Sequence, residues 1–430
     1  MKKTVSVVIL LAIISGILFW KYWPIILERN KEENKLISLT YWGFGDDEQI
    51  LKPVIRSYQT AHPKVVITYS KQSLLNYRTR LQTQIKAGQG PDIFQIHSSW
   101  LPMLLEDLAP ASDQTITFND FIQTYYPLAK ESLTLNNKIY ALPLLTDGLG
   151  MYYNEEILKG VGGVVPKNWT DFMEIAKKAT VPNQQGQIQT AGAALGTSAN
   201  VDFWPEILSL LFLQQPEGNL GKPANKDGLE VLQFYTSFVT NPKNKTWDTT
   251  LPSSTQMFAD GKLAFYFAPS SQIPVIKQLN PNLPFKVAPV PQLSGETVNL
   301  GNFWVGTVSN TSLNQKEAWD FLNFLNSSQV VQVIYQSRLG AFGFAPIYPR
   351  MDLASELLSD PILGAFVSQG PSYKGWYLNS NTQDGGVNDE MIVVYKQAVD
   401  SSLTGQDSLR ALQAAEQGVR QILDKYKINK

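Results

Sequence analysis

Between Leu36 and His97 the chain alternates strand, helix, strand, helix, strand, and no other feature of the sequence constrains its fold as strongly. Leu36 to Trp42 (LISLTYW) is β-branched or aromatic at the spacing of a strand. Asp46 or Asp47 can cap a helix in which Ile50, Leu51, Val54, Ile55 and Tyr58 recur at helical spacing. Val65 to Tyr69 reads as a second strand, Leu74 to Ala87 as a helix closed by Gly88 and Gly90, and Asp92 to Ile96 as an apolar third strand. Such an order makes a parallel α/β sheet, and in those sheets ligands bind beyond the carboxyl ends of the strands. Here the ends carry Trp42-Gly43-Phe44-Gly45-Asp46-Asp47 and His97-Ser98-Ser99-Trp100.

The rest of the chain extends this pattern. A helix-rich middle covers 169–179, 203–214, 226–240 and 254–260, with a strand at 262–267. Strand patterns return at 285–288 and 297–308, a helix follows at 313–326, and a last helix runs from Ser408 to Tyr426. With 430 residues the chain exceeds one ordinary core, so two domains are expected.

The first 35 residues differ from this body. Lys2 and Lys3 precede an uncharged run from Thr4 to Trp20, followed by Lys21, Tyr22, Trp23 and Pro24. As a helix that run rises roughly 25 Å, at the short end for a bilayer span, with a basic cytoplasmic flank and interfacial aromatics. It exceeds the apolar core of a usual signal peptide and no A-x-A site follows, so residues 1–27 are expected to be an uncleaved signal-anchor. Residues 28–35 then form a polar stalk. The body lies on the extracytoplasmic face of the membrane, or is secreted or periplasmic if the segment is cut. Residues 1–35 hold six basic and three acidic side chains, leaving 30 basic and 34 acidic in the body. Near-zero charge argues against a nucleic-acid partner.

Several chemistries are missing. The chain has no Cys and 2 His, which excludes disulfides, thiol catalysis and Cys-ligated zinc and disfavours an imidazole-rich metal site. It contains no phosphate-cradling G-x-x-x-x-G-K-[ST] loop, H-E-x-x-H helix, EF-hand loop or G-x-S-x-G elbow. Gly43-Phe44-Gly45 lacks the third glycine of a dinucleotide fingerprint. Asp46, Asp47 and Asp147 could supply a carboxylate pair for glycoside hydrolysis, but no spacing along the chain places them together.

Seven short segments share a further property. They are Trp42 after the first strand with Gly88-Gln89-Gly90-Pro91-Asp92-Ile93-Phe94; Tyr140-Ala141-Leu142-Pro143; Gly150-Met151-Tyr152-Tyr153-Asn154; Asn168-Trp169-Thr170-Asp171-Phe172; Phe258-Ala259-Asp260-Gly261-Lys262-Leu263-Ala264; Ala318-Trp319-Asp320-Phe321-Leu322-Asn323-Phe324-Leu325; and Leu403-Thr404-Gly405 to Ile422-Leu423. In that order, over nearly the whole body, they resemble the extracellular solute-binding proteins of ABC importers, the family that includes maltose-binding protein. The resemblance implies an α/β, two-lobed periplasmic-binding-protein-like fold with an interlobe cleft and multiple chain crossings, here preceded by the N-terminal transmembrane helix. Lobe 1 would be 36–145 plus 292–340, and lobe 2 150–285 plus 345–430. It also implies a non-enzyme that needs no cofactor and no metal. Its partners would be a small-molecule solute and the permease subunits of an ABC transporter.

A sugar presents hydroxyls and an apolar C–H face, so a sugar site needs aromatic plates beside acids and amides. Trp42, Asp46 and Asp47 follow the first strand, and His97, Ser98 and Trp100 follow the third. By the resemblance, Asp147 matches an acid that contacts sugar, Asp202 and Trp204 open a ligand-facing helix, and Trp304 matches a cleft aromatic. Trp376 lies in a Gly/Pro/Ser/Asn-rich stretch suited to a cleft-lining loop. For each tryptophan the competing reading is core packing, and helical spacing favours it at Trp169 and Trp319. For Asp46 and Asp47 the competing reading is the helix cap, which needs only one of them. Two departures stand out: Ser98-Ser99 replace an acid and an arginine of maltose-binding protein, and Val201-Asp202 replace two aromatics. The expected function is capture of a carbohydrate, an oligosaccharide by preference, for import. The rivals are a peptide, polyamine or organophosphate ligand, a surface-anchored glycan hydrolase, and an envelope sensor.

Overall fold

The computed structural model describes residues 19–22 and 36–428. The segment expected to anchor the chain lies almost wholly outside those residues, as does the stalk. Among the described residues no helix is long and apolar enough to cross a membrane.

The principal strands are β1 (Ile37–Gly43), β2 (Val65–Lys71), β3 (Ile93–His97), β4 (Leu142–Asn154), β5 (Ile188–Ala193), β6 (Leu263–Pro269), β7 (Phe285–Ala288) and β8 (Asn299–Ser309). The principal helices are α1 (Glu48–Ala61), α2 (Tyr77–Lys86), α3 (Trp169–Ala179), α4 (Trp204–Leu213), α5 (Lys226–Thr240), α6 (Gln315–Leu325), α7 (Ser328–Phe342), α8 (Val387–Leu403) and α9 (Ser408–Lys425). One continuous sheet runs in the order β2–β1–β3–β8–β4–β6–β5. β1 pairs in parallel with β2 and β3, as the opening alternation requires. β6 pairs in parallel with β5, and β8 lies antiparallel to β3 and β4.

Two long strands join the halves. β4 has 13 residues, about twice the usual strand length. Its first part pairs with β8 through Leu142, Pro143 and Leu145, and its second with β6 and β7 through Leu149 to Asn154. At the crossing Gly148 faces Gly301, and the Tyr373 ring packs over both. A Cβ on Gly148 would stand 2.4 Å from the Tyr373 hydroxyl oxygen, and one on Gly301 2.5 Å from its Cγ, so only glycine admits the ring.

Each half has its own apolar core. One gathers Leu39, Tyr41, Leu51, Tyr58, Phe94, Trp319 and Phe321 around β1, β3, α1 and α6. The other gathers Met151, Tyr152, Phe172, Leu210, Phe265, Tyr266 and Tyr395 around β4, β6, α3, α4 and α8. Trp169 and Trp319 are buried within these cores. The fold is therefore a two-lobed α/β structure whose lobes are joined by sheet strands.

Candidate functional site

The carboxyl ends of the parallel strands in both lobes converge on the seam between them, because β4 and β8 carry the two half-sheets edge to edge. From the first lobe come Phe44 to Asp47 after β1 and His97 to Trp100 after β3. From the second come Ser270 and Ser271 after β6. Asp147 on β4 and Asn302 on β8 are register partners at the crossing.

Asp147 ties the crossing of β4 to the end of β6. Its Oδ1 accepts from the backbone N–H of Gly148 and Ser270, both at 2.8 Å, and its Oδ2 accepts from Ser271 N–H at 3.1 Å. Burial pushes its carboxyl pKa upward, against the pull of these donors. Across the seam His97 is buried, and its Nδ1 lies 2.6 Å from Ser99 Oγ. Burial lowers the imidazole pKa to about 4, outweighing the Asn302 side chain and the Asp384 carboxylate, which favour the charged ring. His97 is thus a neutral ring near neutral pH.

Beside it stands an aromatic cluster. The Trp304 ring meets Phe44 at 4.6 Å, His97 at 4.9 Å and Trp100 at 5.7 Å between centroids, all edge to face. Trp304 keeps part of its surface open, whereas Trp100 is fully buried and its indole N–H has no partner among the described residues. Ser98 Oγ accepts from Phe303 N–H at 3.2 Å.

The lobes touch through the segment before α8. Asn388 Nδ2 donates to Ser99 Oγ at 2.7 Å and to Asp384 Oδ2 at 2.9 Å. Arg78 reaches over from α2 and donates to the carbonyls of Asp384 at 2.6 Å and Gly385 at 3.0 Å. Beside this closed seam lies a groove of about 670 Å³ whose lining includes Ser98, Ser99, Asn302, Trp376, Leu105 and Tyr426. That volume is within the range of small-ligand sites.

Asp46 is held by Arg338 of α7 through two charge-assisted bonds of 2.7 and 2.5 Å, and Asp47 is ion-paired with Lys71. Neither side chain caps α1, although Asp47 occupies the cap position; the two cations outcompete the backbone N–H groups. Trp42 is half-buried against the first core. Asp202 is exposed, and its Oδ2 accepts from Thr255 N–H at 2.8 Å. Trp204 is buried at the start of α4. Trp376 is partly exposed on the groove wall. The structure therefore brings His97, Ser98, Trp304, Asp147 and Trp376 to the seam or its groove, and commits Asp46 and Asp47 to ion pairs.

Residues 54–365 match the family model described as bacterial extracellular solute-binding protein. The chain belongs to that family. Membership places the folded body outside the cytoplasm. Among its relatives, the maltotriose-binding protein of Pyrococcus abyssi is 24% identical over 337 residues, covering 74% of this chain and 68% of that protein. The multiple sugar-binding protein of Streptococcus mutans is 22% identical over 328 residues, covering 71% and 74%. Among solved structures, the sugar-binding protein MalE from Xanthomonas citri superposes with a TM-score of 0.74 at 18% identity, over 91% of this chain and 98% of that one. A cyclo/maltodextrin-binding protein in complex with maltotetraose gives 0.70 at 19%, over 90% and 98%. These likenesses establish the two-lobed fold.

Sequence reasoning named Ser99 only as a departure from maltose-binding protein, and did not single out Asn302, Asn388 or Glu206. Glu206 had a visible mark, as the lone acid in the otherwise nearly apolar helix WPEILSLLFL. The partnership of Ser99 with Asn388 spans 289 residues, a separation that no local pattern encodes.

Proposed function

We propose that this protein captures a carbohydrate, an oligosaccharide by preference, between its lobes and delivers it to the permease of an ABC importer. The observation that carries this is the chemistry of the seam: Trp304 and Trp376 are partly open aromatic rings, and Ser98 and Asn302 line the groove with neutral hydrogen-bonding groups. The nearby guanidinium groups are already engaged, Arg338 by Asp46 and Arg78 by two carbonyls, and of the two lysines on the groove Lys427 is paired with Glu106. Relatives named for binding maltotriose and multiple sugars support the same reading.

The mechanism is closure on the ligand. A sugar contacting both lobes binds the closed arrangement more tightly than the open one, and that difference shifts the population. We place lobe 1 at 36–145 plus 292–340 and lobe 2 at 150–285 plus 345–430, with closure centred on the paired glycines Gly148 and Gly301. Residues 1–27 would tether the protein beside its transporter and raise its local concentration there. The protein binds without altering its ligand.

A thermal-shift screen of the full-length chain tests this reading against monosaccharides, oligosaccharides, peptides, polyamines and phosphorylated compounds. A ligand specific for the native state raises the melting temperature with concentration. A shift confined to one sugar class supports the proposal. A shift confined to a non-sugar class overturns the carbohydrate assignment, and slow loss of the sugar itself during incubation would restore the hydrolase.

A further inference from the structure

The groove beside the seam takes its lining from the stretch between β3 and β4, the segment before α8 and the end of α9. Most of its polar side chains are already engaged. Ser132 Oγ donates to Leu128 O at 2.7 Å, and Thr134 Oγ1 to Lys130 O at 2.8 Å. Ser99 Oγ accepts from Asn388 Nδ2 at 2.7 Å. Asn219 Oδ1 accepts from Gly221 N–H at 2.7 Å, and Asn379 Nδ2 donates to Trp376 O at 2.6 Å. Both carboxylates on the groove are in ion pairs, Glu106 with Lys427 at 3.3 Å and Glu131 with Lys374 at 3.2 Å.

What the walls leave open is largely apolar. Leu135 is 44% exposed, Leu105, Trp376 and Ile428 are partly exposed, and the buried Leu128 and Leu423 line the same groove. Exposed aliphatic side chains gathered in one cavity mark a binding surface. They do not suit a bare sugar chain. Leucine offers no flat face for a pyranose ring, and sugar hydroxyls buried against it without partners lose their hydration. Ser98 and Asn302 differ, since Ser98 Oγ accepts from Phe303 N–H and keeps its own O–H to donate. One cavity thus joins a hydrogen-bonding stretch at the strand crossing to walls of leucine and isoleucine.

We propose that the groove receives an apolar substituent of the bound carbohydrate, an alkyl or aryl aglycone, so that the solute is an amphiphilic glycoside. The proposal rests on the carbohydrate reading above and specifies the part of the ligand which that reading leaves open. Leu105, Leu135 and Ile428 are then specificity-determining residues, because they gain contact with a hydrocarbon and offer a hydroxyl nothing. The paired carboxylates leave the substituent uncharged. Lys222 lines the groove, is exposed and has no ion pair among the described residues. It is the group that would favour an anion instead, and a fatty carboxylate probes it.

Calorimetric titration of the full-length chain compares glucose, galactose, mannose and maltose with their n-octyl β-glycosides, each below its micelle concentration, and with octanoate. At least one octyl glycoside should bind roughly tenfold or more tighter than its parent sugar, a gain that about two methylene groups taken out of water supply. Leu135→Asn and Leu105→Asn should remove most of that gain and leave the parent sugar within about twofold of wild type. The exposure of Leu135 lets its variant fold, so its ligand-free melting temperature should not move. Equal affinity for sugar and glycoside, sugar binding with every glycoside silent, or a gain that neither variant reduces overturns the proposal and leaves the carbohydrate reading intact. Octanoate bound as tightly as the glycosides overturns it in favour of an anion at Lys222. If no sugar of the wider panel and no glycoside binds, the carbohydrate reading fails and this proposal fails with it.

Discussion

Two buried groups, His97 at the seam and Glu206 in α4, titrate in opposite senses, and acidification separates them. His97 is neutral in the folded protein, with its pKa lowered from 6.5 to about 4 by burial. Below pH 6.5 the unfolded chain takes up a proton that the folded chain refuses. Stability is therefore lost as pH falls from about 6.5 to about 4, by about 3 kcal/mol at roughly 1.4 kcal/mol per pH unit. Glu206 runs the other way. Its folded pKa is raised from 4.5 to about 7 by burial, so the folded state holds a proton that the unfolded state releases. Its contribution is fully present below about pH 4.5 and is lost as pH rises to about 7, again by about 3 kcal/mol. Between roughly pH 4.5 and 6.5 the two slopes cancel in the wild type. Urea denaturation followed by tryptophan fluorescence, in steps from about pH 7.5 to 4, resolves them through differences. Wild-type stability minus that of Glu206→Gln should rise by about 3 kcal/mol on acidification, and wild type minus His97→Gln should fall by about the same amount. Carboxylates common to all three proteins drop out of these differences. Two differences that stay flat with pH would refute the burial of both groups away from water.

Other consequences follow from single contacts. Asp147→Ala strands the N–H groups of Gly148, Ser270 and Ser271 and should cost about 3 kcal/mol in chemical denaturation, against about 1 for Asp147→Asn. Gly301→Ala drives a Cβ into the Tyr373 ring, so a loss of about 2 kcal/mol or more is expected, and Tyr373→Ala in the same background should recover part of it in a double-mutant cycle. Asn388→Leu removes the bridge to Ser99, worth roughly 1 kcal/mol to the closed arrangement, and small-angle scattering of the ligand-free protein should show a larger radius of gyration. Arg338→Ala leaves Asp46 without its partner; both side chains keep some water, so roughly 1–3 kcal/mol is expected from denaturant melts.

The opening alternation is legible because its elements follow simple periods. The strand expected at 65–69 is found at Val65–Lys71, the helix expected from Ser408 to Tyr426 at Ser408–Lys425, and the strand at 285–288 as Phe285–Ala288. The crossing strand β4 is far less visible. Its sequence LPLLTDGLGMYYN carries a proline and two glycines, which read as breaks. Only the Tyr373 ring packed over Gly148 explains why glycine stands at that register. α7 escapes notice because it buries only Val331 and Tyr335 and leaves Val333 and Phe342 exposed, so its apolar residues trace no clean stripe. At the site, residue types at strand ends mark Asp46 and Asp47, but their cationic partners decide what they do. Arg338 lies 292 residues away from Asp46. Trp100 shows the same limit: it follows a strand end, yet Tyr77 and Trp304 enclose it.

The central claim is that the seam takes a carbohydrate. Isothermal calorimetry of the full-length chain tests it most directly, with maltotriose and other oligosaccharides titrated in parallel with a tripeptide mixture, spermidine and glycerol phosphate. The account predicts saturable one-to-one binding of an oligosaccharide, weakened at least roughly tenfold by Trp304→Ala, which removes the aromatic face at the seam. Saturable binding of the peptide, the polyamine or the phosphate, with every sugar silent, would contradict it.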